Sequence, residues 1–152
     1  MQDPARNAAI LLIAPADPAR DGLAGLLSRH GYDVTGHSSL DDIAPPAALR
    51  SFALHIIDID FPISGGNDII RRLRTSSLAP IVAMTAQDQL IHRVGAIEVG
   101  ADSVVLKPYE DMDLVARVRA HLRREIWHAQ DHADHAPPQG VTKLGFGSWT
   151  LD

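Results

Sequence analysis

Short strand-like runs, most of them apolar, recur five times along the chain, each followed by a polar stretch, and this alternation restricts the fold more than any other property. The runs are Ala8 to Ala14, Tyr32 to Gly36, Ala53 to Ile59, Pro80 to Thr85 and Ser103 to Leu106. Most lack the every-second-residue polarity of a strand with one wet face, so they read as strands buried on both sides. Strand and helix in strict alternation predict an α/β fold, a doubly wound five-stranded parallel sheet covered by helices. In such sheets functional groups collect just beyond the carboxyl ends of the strands.

The intervening stretches carry helix punctuation. Asp17-Pro18 supplies a capping carboxylate and a proline at the first helical position, and Gly31 supplies the stop. Between them Leu23, Leu26, Leu27 and His30 share one helical face. Ser39 to Ala44 predicts a brief helix cut off by Pro45-Pro46. Gly65-Gly66-Asn67 opens a helix with Ile69, Ile70 and Leu73 inward and Arg71, Arg72 and Arg74 outward. Leu90 to Val99 predicts another, ended by Gly100, and Asp111 caps a last helix with Leu114, Val115, Val118 and Leu122 on one face. Past Arg124 the pattern weakens. We therefore expect one domain over residues 1–125, a linker over 126–142, and at 143–152 an alternating stretch (Leu144 to Leu151) that begins a second, truncated domain.

Composition narrows the function classes. A net charge of −5 disfavours these 152 residues as a stand-alone nucleic-acid binder. The absence of cysteine excludes disulfides and thiolate metal sites. No apolar run approaches the roughly 20 residues that span a bilayer, and the N-terminus lacks a signal-peptide pattern, so a cytoplasmic location is expected and no membrane partner.

Three polar residues close successive strands: Asp58 the third, Thr85 the fourth and Lys107 the fifth. Neighbouring strands lie about 4.8 Å apart, so these side chains can converge. A carboxylate, a hydroxyl and an ammonium so placed suit phosphoryl transfer, with the carboxylate as acceptor and the other two as phosphoryl-oxygen ligands. The bland reading is a structural ion pair beside a strand-end threonine.

Asp58-x-x-x-Pro62 with Gly66, Thr85-Ala86 and Lys107-Pro108-Tyr109, in this order and spacing, resemble the receiver domain of two-component response regulators over residues 8 to about 125. His30-Gly31-Tyr32 and Gly100-Ala101-Asp102 agree with the same family. The resemblance implies a flavodoxin/CheY-like sheet of strand order 2-1-3-4-5, Asp58 as phosphoacceptor, Thr85 as switch hydroxyl, Lys107 as phosphate-contacting lysine, and a cis Lys107–Pro108 peptide. Receivers place an acidic pair after the first strand to bind Mg²⁺, and here those positions are Ala14 and Pro15. Neither side chain offers an oxygen, so no metal or other cofactor is expected and Mg²⁺-dependent phosphorylation of Asp58 is disfavoured. Asp17 reads as a helix cap and Asp60 as a solvated loop residue rather than as replacement ligands. The switch aromatic that receivers carry on the fifth strand is replaced by Val104.

The resemblance extends to the OmpR/PhoB subfamily, whose two-fold interface uses the last two helices and the fifth strand (α4-β5-α5 in that subfamily's numbering). Arg93, Glu98, Asp102, Asp113, Arg117 and Arg119 supply charges of both signs there, which implies a homodimer. Phe146 to Asp152 resembles the first strand of a winged-helix effector domain, implying DNA as a partner of the complete protein and a histidine kinase as a candidate input. The competing class is a receiver-derived module holding a protein or small ligand in a less anionic pocket. An enzyme with turnover is least expected, because no acid–base pair or glycine-rich phosphate loop is present. His128, His132 and His135 have metal-like spacing, but their polar, proline-containing surroundings favour a linker.

Overall fold

The structure, a computed structural model, describes residues 6–43, 46–60 and 66–134. Five strands, β1 (Ala9–Ile13), β2 (Asp33–His37), β3 (Leu54–Asp58), β4 (Ile81–Thr85) and β5 (Ser103–Leu106), form one sheet in the order β2-β1-β3-β4-β5. All four pairings are parallel. The helices are α1 (Pro18–Arg29), α2 (Gly66–Ser76), α3 (Leu90–Val99) and α4 (Asp111–Asp134).

Alternate residues of the central strands feed two separate cores, as the period of two requires. Ile10, Leu12, Leu54, Ile56, Val82 and Met84 face α1 and α4, where Leu23, Leu27, Leu114, Val115 and Val118 meet them. Leu11, Ile13, Ile57, Ile81 and Ala83 face the other way, toward Ile69, Ile70 and Leu73 of α2 and Ala96 of α3. β3 and β4 are buried at every position, which is why their sequences show no alternation. The sheet order and the helices on both faces are as expected.

The local signals act as expected at several ends. Asp17 accepts from the Arg20 N–H at 3.0 Å, with Pro18 opening α1. Gly31 and Gly100 follow α1 and α3 at φ values of +94° and +133°, a region L side chains rarely adopt.

Two expectations are corrected. The brief helix expected at Ser39 to Ala44 is a single 3-10 turn, Leu40–Asp42, capped by Ser39, and a second one, Pro46–Ser51, follows it; they seat Leu40 and Leu49 in the second core. Arg74 does not point outward. Its guanidinium turns back to the Gly100 and Ala79 carbonyls at 2.9 and 2.6 Å and to Asp102 at 2.5 Å. α4 also continues to Asp134, into the stretch 126–142 expected as a linker. Glu125 to Asp134 contains neither glycine nor proline, so nothing there breaks the helix that the core-facing residues start. His128 and His132 therefore fall on α4, whereas His135 and the alternating stretch at 144–151 lie outside the described residues. No described helix is long and apolar enough to cross a membrane.

Candidate functional site

Register brings the strand-end residues together. Asp58 pairs with Met84 across β3 and β4, and Thr85 pairs with Leu106 across β4 and β5. Asp58, Thr85 and Lys107 consequently rim one edge of the sheet on three adjacent strands. Asp58 is only 8% exposed, so its carboxylate needs partners. The Lys107 ammonium provides them, donating to Asp58 Oδ1 at 3.0 Å and Oδ2 at 2.9 Å. The backbone N–H of Asp60 adds a third bond to Asp58 Oδ1, also at 3.0 Å. The Lys107–Pro108 peptide is cis.

Thr85 does not reach toward Asp58. Its hydroxyl donates to Asp60 Oδ1 at 2.7 Å while accepting from the Gln87 N–H at 3.0 Å. Asp60 Oδ2 accepts from the Ala86 N–H at 2.8 Å and lies 3.2 Å from Lys107 Nζ. Asp60 is an exposed turn residue, as expected, but its carboxylate is bonded to the end of β4 rather than left to solvent. Its partial burial works against the charge, but the Thr85 hydroxyl, the Ala86 N–H and the Lys107 ammonium prevail and hold its carboxyl below the usual range. Burial likewise opposes the charge on Lys107, and Asp58 and Asp60 overcome it, raising that pKa.

β1 delivers the remaining wall. Ile13 pairs with Ile57, so the chain leaves β1 beside Asp58 at Ala14. Ala14 is buried, its N–H bonded to the His37 carbonyl at 3.1 Å and its own carbonyl accepting from Arg20 at 3.2 Å. Pro15 follows, half-buried. Among the described residues, no group of three or more His, Asp or Glu is arranged to hold a metal ion. Val104 is half-buried and packs against the α2–α3 core. A cavity of about 450 Å³ lined by Arg50, Phe52, Arg74, Ser77 and Ala79 opens before β3 and β4, at the opposite edge from Asp58.

The residues expected at a dimer face are only partly free to act across one. Asp102 is bound internally, accepting from Arg74 and from the Ile81 N–H at 2.8 Å. Asp113 and Arg117 pair with each other one turn apart on α4, at 3.2 Å. Arg93 is half-buried, Arg119 is half-buried with an interaction of its own, and Glu98 is exposed. What the sequence reading missed is apolar. Leu90, Ile91, Val94 and Ile97 of α3 are 67%, 74%, 43% and 46% exposed, while the helix turns its small Ala96 to the core. The available signal was that α3 is apolar around nearly its whole circumference, more than one core face needs.

Residues 10–119 match the response regulator receiver domain. The chain belongs to that family. Among curated relatives, the sensory transduction protein RegX3 of Mycolicibacterium smegmatis is 33% identical over 141 residues, covering 90% of this chain and 58% of the relative. RegX3 of Mycobacterium tuberculosis is 35% identical over 120 residues, covering 76% and 51% respectively. The chain thus spans little more than half the length of these relatives. Among solved structures, the receiver domain of the TMAO respiratory system response regulator TorR superposes with a TM-score of 0.70 at 29% identity, covering 77% of this chain and 98% of that one. Full-length FixJ of B. japonicum gives 0.72 at 26% identity over 84% of this chain and 64% of that one. This receiver shares their five-stranded parallel order.

Proposed function

We propose that this receiver is the signal-input and dimerisation module of an OmpR/PhoB-type transcriptional regulator, and that it works without Mg²⁺-dependent phosphorylation of Asp58. The observation that carries the reading is the Asp58 carboxylate closed by Lys107, beside a β1 end made of Ala14 and Pro15. Mg²⁺ takes near-octahedral oxygen coordination and favours carboxylates. Neither Ala14 nor Pro15 has a side-chain oxygen, Asp58 is bonded through both of its oxygens, and Asp60 turns to Thr85 and Ala86. The residues present do not fit the ion. Phosphoryl transfer to a carboxylate needs a cation for the developing charge, and Lys107 is already committed to two carboxylates.

In this reading Asp58 anchors Lys107, and the pair ties the end of β3 to the end of β5. Val104 leaves β5 without a ring to swing, so the adjoining α3–β5–α4 surface has one arrangement to offer. A second copy docks there through Leu90, Ile91, Val94 and Ile97, with Arg93, Glu98, Asp113, Arg117 and Arg119 setting register at the rim. DNA is bound through an effector segment outside the receiver, which fits the chain's coverage of only about half of RegX3. The protein does not turn over a substrate.

Incubation with acetyl phosphate and Mg²⁺, followed by intact mass measurement, tests this directly. The expected outcome is an unmodified chain. A stoichiometric phosphoryl adduct that disappears in Asp58→Asn would replace the reading with a conventional phospho-switch fed by a histidine kinase.

A further inference from the structure

Three donors placed to receive a phosphoryl group on Asp58 already meet a second carboxylate of the same chain. Asp60 presents two oxygens on one carbon, much as a phosphoryl group presents them on phosphorus. One accepts the Thr85 hydroxyl at 2.7 Å, and the other accepts the Ala86 N–H at 2.8 Å with Lys107 Nζ at 3.2 Å. Three donors from the ends of two neighbouring strands thus converge on one anionic group. The Thr85 hydroxyl has a single proton to donate, and Asp60 receives it.

We infer that Asp60 is an internal ligand of the phosphoryl-oxygen subsite, standing in for a phosphate and holding Thr85, Ala86 and Lys107 engaged in the unmodified protein. The inference rests on the receiver reading of Asp58, Thr85 and Lys107. It adds an occupant that this reading does not supply.

Two features separate an internal ligand from a merely structural loop contact. The Asp60 side chain is 27% exposed, so it sits at the mouth of the site where an incoming anion would arrive. Its own N–H is bonded to Asp58 Oδ1 at 3.0 Å, which fixes the backbone and lets the carboxylate lie over the donors with little ordering left to lose. The charges point the same way. A phosphoryl group on Asp58 would bring about −1.5 to −2 charges next to Asp60, with Lys107 as their shared cation. Asp60 therefore substitutes for the phosphoryl group and also opposes its addition.

The test is amide NMR of the 152-residue chain. In the wild type the Ala86 amide proton is expected downfield, as for an N–H donating to a carboxylate. Asp60→Ala is expected to move it upfield, and titration with sodium acetate, as a free carboxylate probe, to return it saturably, while sodium chloride at equal ionic strength does not. Asp60→Asn, which preserves shape and one acceptor, is expected to fall between the two and guards against a folding defect in the alanine variant. An Ala86 resonance unmoved in both variants, or moved in Asp60→Ala but not restored by acetate, overturns the internal ligand. Phosphorylation of the wild-type chain with acetate rescue intact would instead overturn the metal-independent reading and leave the internal ligand standing, so the two failures are distinguishable.

Discussion

Asp60 and Asp58 lie two residues apart, yet the fold gives them different tasks. Asp58 is buried and neutralised by Lys107, while Asp60 bridges from the end of β3 to the end of β4 through Thr85 and Ala86. Replacing Thr85 with valine keeps the strand-end shape and removes the hydroxyl. We expect Thr85→Val to cost about 1–2 kcal/mol in urea unfolding, because it leaves Asp60 Oδ1 short of its donor. A different residue adds an acid response of its own. His55 is fully buried in β3, and neither ring nitrogen completes a hydrogen bond. Burial lowers its pKa from 6.5 to about 4, with the nearby Leu49 backbone opposing and Arg74 reinforcing. Between those pH values the unfolded chain binds a proton that the folded chain does not, so stability is complete above pH 6.5 and declines as pH falls toward 4. Urea melts across this range should show a loss of up to about 3 kcal/mol that His55→Leu largely removes. An unchanged slope in that variant would assign the acid response elsewhere.

At the scale of elements, a polar knot and an inverted helix govern behaviour. Arg74 leaves the end of α2 to bond the turn between α3 and β5, and Asp102 returns the contact while accepting the Ile81 N–H that starts β4. Gly100 makes room for this. A Cβ there would stand 2.5 Å from Arg74 Cγ, on a backbone at φ +133°. Gly100→Ala should therefore destabilise by about 2 kcal/mol, read as a lower urea midpoint. Helix α3 exposes its large apolar residues, so changing them should leave folding intact. Ile91→Asp is expected to leave the urea midpoint within about 0.5 kcal/mol of wild type and to abolish dimerisation in sedimentation equilibrium. How legible these features were follows from their range. The limits of α3 and β5 are readable to the residue because a terminating glycine and an apolar run act locally, and the cap at Asp17 is readable for the same reason. Asp60 and Arg74 are not legible in the sequence because their partners at the end of β4 and in the α3–β5 turn lie 25 to 28 residues away. The length of α4 is hard to read because its last turns are polar and histidine-rich, and polarity alone does not break a helix.

At the scale of the whole molecule, the receiver fold is complete around a site whose parts are tied to one another. The alternation of strands and helices dictated this parallel sheet, and the sheet in turn brought Asp58, Thr85 and Lys107 to one edge. In the proposed function the chain maintains one engaged arrangement without phosphate, with α3 and its neighbours presented to a second copy. Sedimentation equilibrium of the wild type and of Asp58→Asn, each with and without beryllofluoride plus Mg²⁺, tests that claim most directly. The same dimer is expected in all four samples; a wild type that is monomeric alone and dimeric only with beryllofluoride, with Asp58→Asn monomeric throughout, would overturn the phosphate-independent reading.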